Sequence, residues 1–186
     1  MKSFEEVYEI VEKTLSPKRF EHCKNVMGRC IEFAEIFGED VEKAKLIGIA
    51  HDIAKEVPRD KRVEYAEKDG VILNYFEKEN TALIHAKHVA VICKRDFVFT
   101  DDMCEAIAAH TTGKLGMTRL EKILYLADYS EAGRDFKEAI EAYEIGKKNL
   151  DEGYFTALTG KIYYTMMDKK LICKDSIDAY NDLISK

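Results

Sequence analysis

Apolar residues recur at helical spacing along nearly the whole chain, and this periodicity is the feature that most constrains its fold. Phe20, Cys23, Met27 and Cys30 follow one another at intervals of three or four residues, as they would on one face of an α-helix. The alternating pattern of a strand is almost absent, because residues 97–99 are too few to build a sheet. The pattern therefore predicts an all-α protein.

Start and stop residues divide the chain into helices. Ser16 and Pro17 read as an N-cap and first helical position, and Gly38 ends that helix after residue 37. Asp40 opens a second helix, whose segment 44–54 is apolar on nearly every side and is therefore predicted to be buried. Further helices are predicted at about residues 3–14, 60–68, 82–94, 102–110, 119–130, 137–147, 151–169 and 175–185.

The length of 186 residues suits one compact domain. We predict a single-domain helical bundle over residues 1–186. Its core spans about 16–131, with the N-terminal helix 3–14 and the C-terminal helices of 137–185 packed on it. Short loops would join antiparallel neighbours.

The cysteine content and the net charge limit the cellular compartment and the binding partners expected for this chain. The five cysteines lack CxxC spacing, and their odd number argues against a disulfide framework, so they are interpreted as small core residues. The acidic N-terminus does not resemble a signal peptide, and no run of about 18 apolar residues occurs. These features predict a cytoplasmic protein without a membrane span. The net charge of -6 argues against broad nucleic-acid binding.

Four of the five histidines fall on apolar stretches, together with two aspartates. His51 and Asp52 end the buried helix, where an ionised Asp without a partner would cost several kcal/mol. A bound cation would remove that cost. A single His on an apolar face is more often a hydrogen-bonded core residue than a ligand, but this larger group favours a metal site.

Asp128 and His22 extend the group of candidates. Asp128 follows an apolar stripe and shares its face, although an N-cap or a buried salt bridge would explain it equally well. His22 lies on the flank of its helix's apolar arc. Arg19 falls inside that arc, which indicates a nearby anion unless its side chain reaches out to the surface.

Two further histidines are candidates. His110 faces inward at the end of a helix and precedes Thr111, a hydroxyl donor in the loop. His85 opens another helix beside apolar neighbours, whereas His88, one turn later, is interpreted as structural. Imidazole and carboxylate together suit borderline divalent metals and could hold one ion, or two about 4 Å apart.

The ordered series His22, His51-Asp52 and Asp128 resembles the HD-domain superfamily of metal-dependent phosphohydrolases. More narrowly, the segments AHDIAK, AIAAHTTGKLGM and KILYLADYSEAGR and the late YN resemble the YqeK family. The resemblance extends from about residue 18 to residue 181. It implies an HD-type helical bundle and symmetrical hydrolysis of diadenosine tetraphosphate to two ADP.

The resemblance also implies roles for individual residues. The metal ligands would be His22, His51, Asp52 and Asp128, with His85 and His110 completing a second metal site or holding the phosphate chain. Lys55, Thr111 and Arg134 would contact phosphates. Arg19 is a further candidate for substrate binding because of its inward-facing position rather than the resemblance. The catalytic group would comprise Asp52, His85, His110 and Lys55. The cofactor would be one or two divalent or trivalent transition-metal ions, with iron favoured and manganese, cobalt, nickel or zinc as alternatives.

The sequence thus predicts a metal-dependent hydrolase of nucleotide polyphosphates. Lys55 and Arg134 would neutralise charge on the leaving phosphate, and a protonated His85 or His110 could donate to the leaving oxygen. Other HD activities, namely a nucleotidase or a nucleotide phosphodiesterase, stay open, as does a nucleotide-sensing protein with a vestigial site. The sequence also leaves open whether the chain forms a homodimer.

Overall fold

The computed structural model describes residues 1–185, which form eleven α-helices and no strand. The helices are α1 (Phe4–Thr14), α2 (Pro17–Phe37), α3 (Val41–Ala50), α4 (Arg62–Lys68), α5 (Tyr75–Glu79), α6 (Ile84–Ile92), α7 (Asp101–Ala109), α8 (Arg119–Tyr129), α9 (Lys137–Gly146), α10 (Leu150–Met167) and α11 (Lys174–Ile184). A 3₁₀ turn (Arg59–Lys61) precedes α4, and a π-helical turn (Cys93–Phe97) follows α6. The predicted all-α class is confirmed.

Local capping explains where several helices begin. Ser16 accepts a hydrogen bond from the Arg19 amide and Pro17 occupies the first turn of α2, as predicted. Asp40 caps α3 in the same way. Thr118 begins α8 with a reciprocal capping box that includes Glu121. These short polar side chains satisfy amide groups that the first turn of a helix leaves without partners.

The structure corrects the predicted elements in two places. The buried helix α3 ends at Ala50, and residues 51–56 form successive turns rather than continuing the helix to residue 54. The short helix α5 was not predicted, because its five residues are too few to show a periodic pattern. Its Asn74 N-cap and Glu77 do form a capping box, so a local signal was present.

One large hydrophobic cluster contains buried residues of α1, α2, α3, α6, α7, α8, α9, α10 and α11. A small second cluster comprises Ala66 of α4, Ile84 of α6 and Val71, which lies between α4 and α5. Helix α2 packs against α3 and α8, while α8 also contacts α7 and α10. This packing brings the ends of α3, α7 and α8 beside the N-terminal half of α2. The predicted division into a core and flanking helices stays a prediction.

The cysteines lie mostly in the core, as predicted. Cys23, Cys30, Cys93 and Cys173 are buried, Cys104 is partly buried, and all five are free thiols. Within residues 1–185, no helix is long and apolar enough to cross a membrane.

Candidate metal centre

Four histidines and two aspartates converge between the central helices. His22 comes from α2, the His51-Asp52 pair follows α3, and Asp128 lies near the end of α8. The other two are His85 in the first turn of α6 and His110 at the end of α7. His51, Asp52, His85 and His110 are buried, so these polar side chains need partners inside the protein.

Three of the imidazoles are oriented by the same local contact. Nδ1 of His51, His85 and His110 donates to the carbonyl oxygen three residues earlier, at 2.8, 2.7 and 2.6 Å respectively. A carbonyl oxygen only accepts, so each Nδ1 carries the proton. The Nε2 atoms of these rings are left with lone pairs that face the centre, which is how metal-binding histidines are held.

His22 is oriented by a carboxylate instead. Its Nδ1 lies 3.3 Å from Oε1 of Glu131, a residue that the sequence analysis did not single out. Glu131 also accepts a hydrogen bond from the Gly133 amide at 2.6 Å, which fixes the carboxylate in the loop after α8. Glu131 lies within the segment KILYLADYSEAGR, but nothing in the local pattern distinguished it from a solvated acidic residue.

The two oxygens of Asp52 face different pairs of histidines. Oδ2 lies 3.7 Å from Nε2 of His22 and 3.7 Å from Nε2 of His51. Oδ1 lies 3.0 Å from Nε2 of His85 and 3.8 Å from Nε2 of His110. Asp52 is therefore shared by two groups of donor atoms, each compact enough for one metal ion. Oδ1 of Asp128 lies beside the first group, 3.3 Å from Nε2 of His22 and 3.9 Å from Nε2 of His51.

The donor atoms fit a metal better than they fit one another. Nε2 of His22, Nε2 of His51 and Oδ1 of Asp52 are buried and make no hydrogen bond to any group in residues 1–185. Leaving such atoms unsatisfied costs about 1–3 kcal/mol each, although acidic and imidazole groups lie within 4 Å. A cation in the first group would satisfy the two imidazole atoms, and a cation in the second group would satisfy Oδ1 of Asp52.

Protonation in the cluster also suits metal binding. Burial lowers the pKa of His51, His85 and His110, so these imidazoles are neutral near pH 7. Burial alone would raise the pKa of Asp52, but the nearby His51, His85 and Lys55 outweigh it and hold the pKa well below its usual value. Neutral imidazoles and ionised carboxylates are the forms that bind metals.

His22 differs from the other histidines. Burial would lower its pKa, but the carboxylates of Asp128 and Glu131 outweigh that effect and raise it to about 9. A proton on His22 and a divalent ion are alternative ways to offset these carboxylates. Metal binding at this position would therefore release a proton.

Positively charged side chains surround the carboxylates. Arg19 donates to Oδ2 of Asp52 at 3.0 Å, and Nζ of Lys55 lies 3.1 Å from Nε2 of His85. The guanidinium of Arg134 lies 3.7 Å from Oδ1 of Asp128. The predicted anion-binding residues are thus brought together at the centre. Thr111 directly follows His110 and lines the neighbouring clefts.

His88 lies outside the cluster, whereas Lys161 reaches it. His88 donates from Nε2 to Asp69 at 2.9 Å and lies outside the cluster, in agreement with the structural interpretation. Lys161 of α10, which sequence analysis missed, reaches Oδ2 of Asp128 at 3.4 Å. A lysine on a long C-terminal helix gave no sequence signal that it would face this centre.

Comparison with known proteins decides the family. The profile described as HD domain matches residues 19–133 of this chain. The chain belongs to the HD domain family. The resemblance seen in the sequence is thereby confirmed, and HD domain membership implies dependence on a divalent metal, for which the His/Asp cluster supplies donors.

Individual relatives of this HD domain are similar over almost their full length. The chain is 31% identical over 182 residues to "Bis(5'-nucleosyl)-tetraphosphatase, symmetrical" of Bacillus subtilis (strain 168), with 97% of each protein covered. It is 32% identical to the protein of the same name from Halalkalibacterium halodurans, over 95% of this chain and 94% of that one.

A solved structure shares the fold. A crystal structure from Clostridium acetobutylicum, described as a "predicted HD superfamily hydrolase involved in NAD metabolism", has a TM-score of 0.94 and 32% identity. The similarity covers 100% of this chain and 98% of that one. The likeness therefore includes the C-terminal helices that follow the HD domain match.

Proposed function

We propose that this HD domain protein hydrolyses dinucleoside polyphosphates and cleaves diadenosine tetraphosphate symmetrically to two ADP. The observation that carries the proposal is the sharing of Asp52 between two donor groups, with Arg19 and Lys55 at its edge. Such a centre suits hydrolysis of a phosphoanhydride. The relatives named symmetrical tetraphosphatases support this substrate and this position of cleavage.

We infer that the centre holds two transition-metal ions. One would be bound by His22, His51, Asp52 and Asp128, and the other by Asp52, His85 and His110. Mixed imidazole and carboxylate donors suit iron, which we favour, and also manganese, cobalt, nickel or zinc. A metal bound here would polarise a phosphoryl oxygen and lower the pKa of a water molecule towards neutrality.

The protein's own side chains would then bind and orient the phosphate chain. Arg19, Lys55 and Arg134 offset the carboxylates in the structure. Once a metal ion shares that negative charge, the same cations can bind phosphate oxygens and stabilise the charge that develops on the leaving phosphate. The Thr111 hydroxyl, on the loop after His110, would add a neutral donor.

His85 and His110 have a second role if only one ion binds. Their Nε2 atoms lie 3.2 Å apart, and Nζ of Lys55 lies 3.1 Å from Nε2 of His85. In a one-ion centre, a proton held between these groups would be transferred to the leaving oxygen. In a two-ion centre, the two imidazoles serve as ligands and Lys55 faces the phosphate directly.

The test is to incubate diadenosine tetraphosphate with the metal-loaded protein in water labelled with heavy oxygen. We expect two ADP, one of them labelled, and no turnover by Asp52→Ala protein with normal helical circular dichroism. ATP and AMP as products would refute symmetrical cleavage. Turnover confined to mononucleotides or cyclic nucleotides would favour another HD activity, and bound metal without any turnover would favour a vestigial site.

A further inference from the structure

Lys161 lies on α10, outside the residues 19–133 that match the HD domain, yet its amine reaches the metal centre. Three contacts hold this amine. It lies 3.4 Å from Oδ2 of Asp128, donates to the carbonyl oxygen of His110 at 3.1 Å, and lies 4.0 Å from the centre of the Tyr125 ring. The side chain is 27% exposed, so it is fixed at the edge of the site rather than sealed inside it.

The two oxygens of Asp128 have separate environments. Oδ1 faces the histidines, at 3.3 Å from Nε2 of His22, whereas Oδ2 faces Lys161. The outer position of Lys161 leaves the inner oxygen for a metal. A metal ion would also offset the negative charge of the Asp128 carboxylate. The positive charge of Lys161 would then be available to attract an anion.

The surface beside Lys161 offers a further donor to an anion. Lys161 lines a cleft with Thr111, whose hydroxyl can donate, whereas the hydroxyls of Thr112, Thr165 and Ser176 in the same cleft donate to backbone carbonyl oxygens. The cleft adjoins His110, because Thr111 follows it in the chain and Lys161 contacts its carbonyl. A phosphate chain positioned on the metal centre could therefore continue along this side.

We propose that Lys161 binds a phosphate group of the substrate at the Asp128 end of the centre, and so adds a C-terminal residue to the substrate site of the HD domain. Arg19 and Lys55 flank Asp52, while Arg134 and Lys161 flank Asp128. Two pairs of cations, one at each aspartate, match the repeated charges of a polyphosphate. The inference rests on the proposed function, since it takes a nucleoside polyphosphate as the ligand.

The test measures ADP binding by calorimetry to manganese-loaded protein, so that it does not depend on turnover. Lys161→Met should weaken ADP binding by about ten- to a hundredfold, the range for loss of a charged hydrogen bond. Lys161→Arg should retain most of the binding, because it keeps the positive charge. Manganese affinity, measured by competition with a chelator, should stay within a few-fold of wild type in both variants.

Lys122→Met is the matched control. Lys122 also joins α8 to α10, through an ion pair with Asp151 at 2.7 Å, but it lies away from the metal centre. Its loss should leave ADP binding unchanged while it removes a comparable contact between helices. If Lys161→Met fails to fold, Lys161→Gln replaces it as the charge-removing variant.

Two results would overturn the inference. A large loss of manganese affinity with unchanged ADP affinity in the fully loaded variant would mean that Lys161 only positions Asp128. Wild-type protein that binds no ADP would also overturn it. Wild-type protein that binds ADP but does not cleave diadenosine tetraphosphate would refute the proposed function alone, because the comparison of variants in ADP binding would still hold.

Discussion

Nδ1 of His22 lies 3.3 Å from Oε1 of Glu131, so an acidic residue after α8 orients an imidazole on α2. A carboxylate only accepts hydrogen bonds, which keeps the proton on Nδ1 and leaves Nε2 to bind a metal. An amide can rotate to present its NH₂ group and no longer imposes this tautomer. We expect Glu131→Gln to lower metal affinity by about ten- to a hundredfold, measured by competition with a chelator.

A buried carboxylate elsewhere provides the control for Glu131. Glu121 is 1% exposed and pairs with Lys114 at 2.6 Å. Glu121→Gln should destabilise the fold without changing metal affinity, because Glu121 is no part of the centre. Equal metal affinities in wild type and Glu131→Gln would contradict the orienting role of Glu131.

His110→Ala should reduce the number of bound ions. The structure places His110 in the donor group that contains Asp52 and His85, and not in the group of His22 and His51. Protein reconstituted with manganese should therefore bind two ions per chain in the wild type and one in the variant. Elemental analysis of the dialysed protein measures this ratio.

His88→Ala is the matched control for His110. His88 is also buried and donates a hydrogen bond to Asp69, but it lies outside both donor groups. Its replacement should leave two ions bound. One ion in the wild type, with the same count in His110→Ala, would support the alternative in which His85 and His110 transfer protons or hold phosphate.

Arg134→Ala should lower kcat/KM for a tetraphosphate substrate more than kcat/KM for a small aryl phosphate. The guanidinium lies 3.7 Å from Asp128 and 3.6 Å from Glu131, at the exposed edge of the centre. Loss of a charged hydrogen bond costs about 1.5–3 kcal/mol, so kcat/KM for diadenosine tetraphosphate should fall accordingly. Arg95→Ala is the control, because it removes a surface guanidinium paired with Asp69 and Asp96. It should leave kcat/KM for both substrates unchanged. Equal losses on both substrates would refute a phosphate contact.

Asp69 gives a pH-dependent contribution to stability away from the metal centre. Hydrogen bonds from His88 and Arg95, each 2.9 Å long, hold the pKa of its carboxyl below the usual value. Because the pKa of Asp69 is lower in the folded protein, its ionised carboxylate stabilises the fold at pH values above its pKa in the unfolded chain, about 3.9. This stabilisation is lost as the pH falls through the pKa of Asp69 in the folded protein. Asp69→Asn should cost about 1 kcal/mol at neutral pH.

Urea unfolding of the wild type and Asp69→Asn at several pH values tests the direction of this pH dependence. The difference in unfolding free energy should narrow below about pH 4, where the wild-type carboxyl also becomes protonated. Asp168→Asn, at an exposed ion pair with Lys170, should show almost no difference at any pH. A difference for Asp69→Asn that widens on acidification would contradict the assigned direction.

Gly113 is required both by the backbone and by a close neighbour. Its φ is +69°, and a Cβ there would lie 2.6 Å from Oη of Tyr154. Gly116 has the same φ of +69° but nothing within 4 Å of its Cβ position. Gly116→Ala should therefore cost only the left-handed strain of about 1–2 kcal/mol. Gly113→Ala should cost at least about 1 kcal/mol more, because it also overpacks the loop after His110, as measured by urea unfolding.

The sequence by itself determined most of the helices and identified the six candidate metal ligands. Ser16, Asp40 and Gly38 act through contacts within a few residues, so their effects can be read from neighbours along the chain. His and Asp residues on apolar helix faces were visible for the same reason, because burial of a polar group is costly wherever it occurs. Their convergence at one place was predicted from the family resemblance and the inward faces, and the structure brings all six together.

Tertiary packing alone decided which atoms of those residues meet. Periodicity shows which face of a helix is buried, but the relative positions of α2, α3 and α6 decide that Oδ2 of Asp52 faces His22 while Oδ1 faces His85. Lys161 illustrates the same limit, since it is partly exposed and gains its partners only because α10 packs on α8 beside Asp128. Contacts between residues distant in the chain depend on helix positions within a few ångströms, and no local pattern encodes those positions.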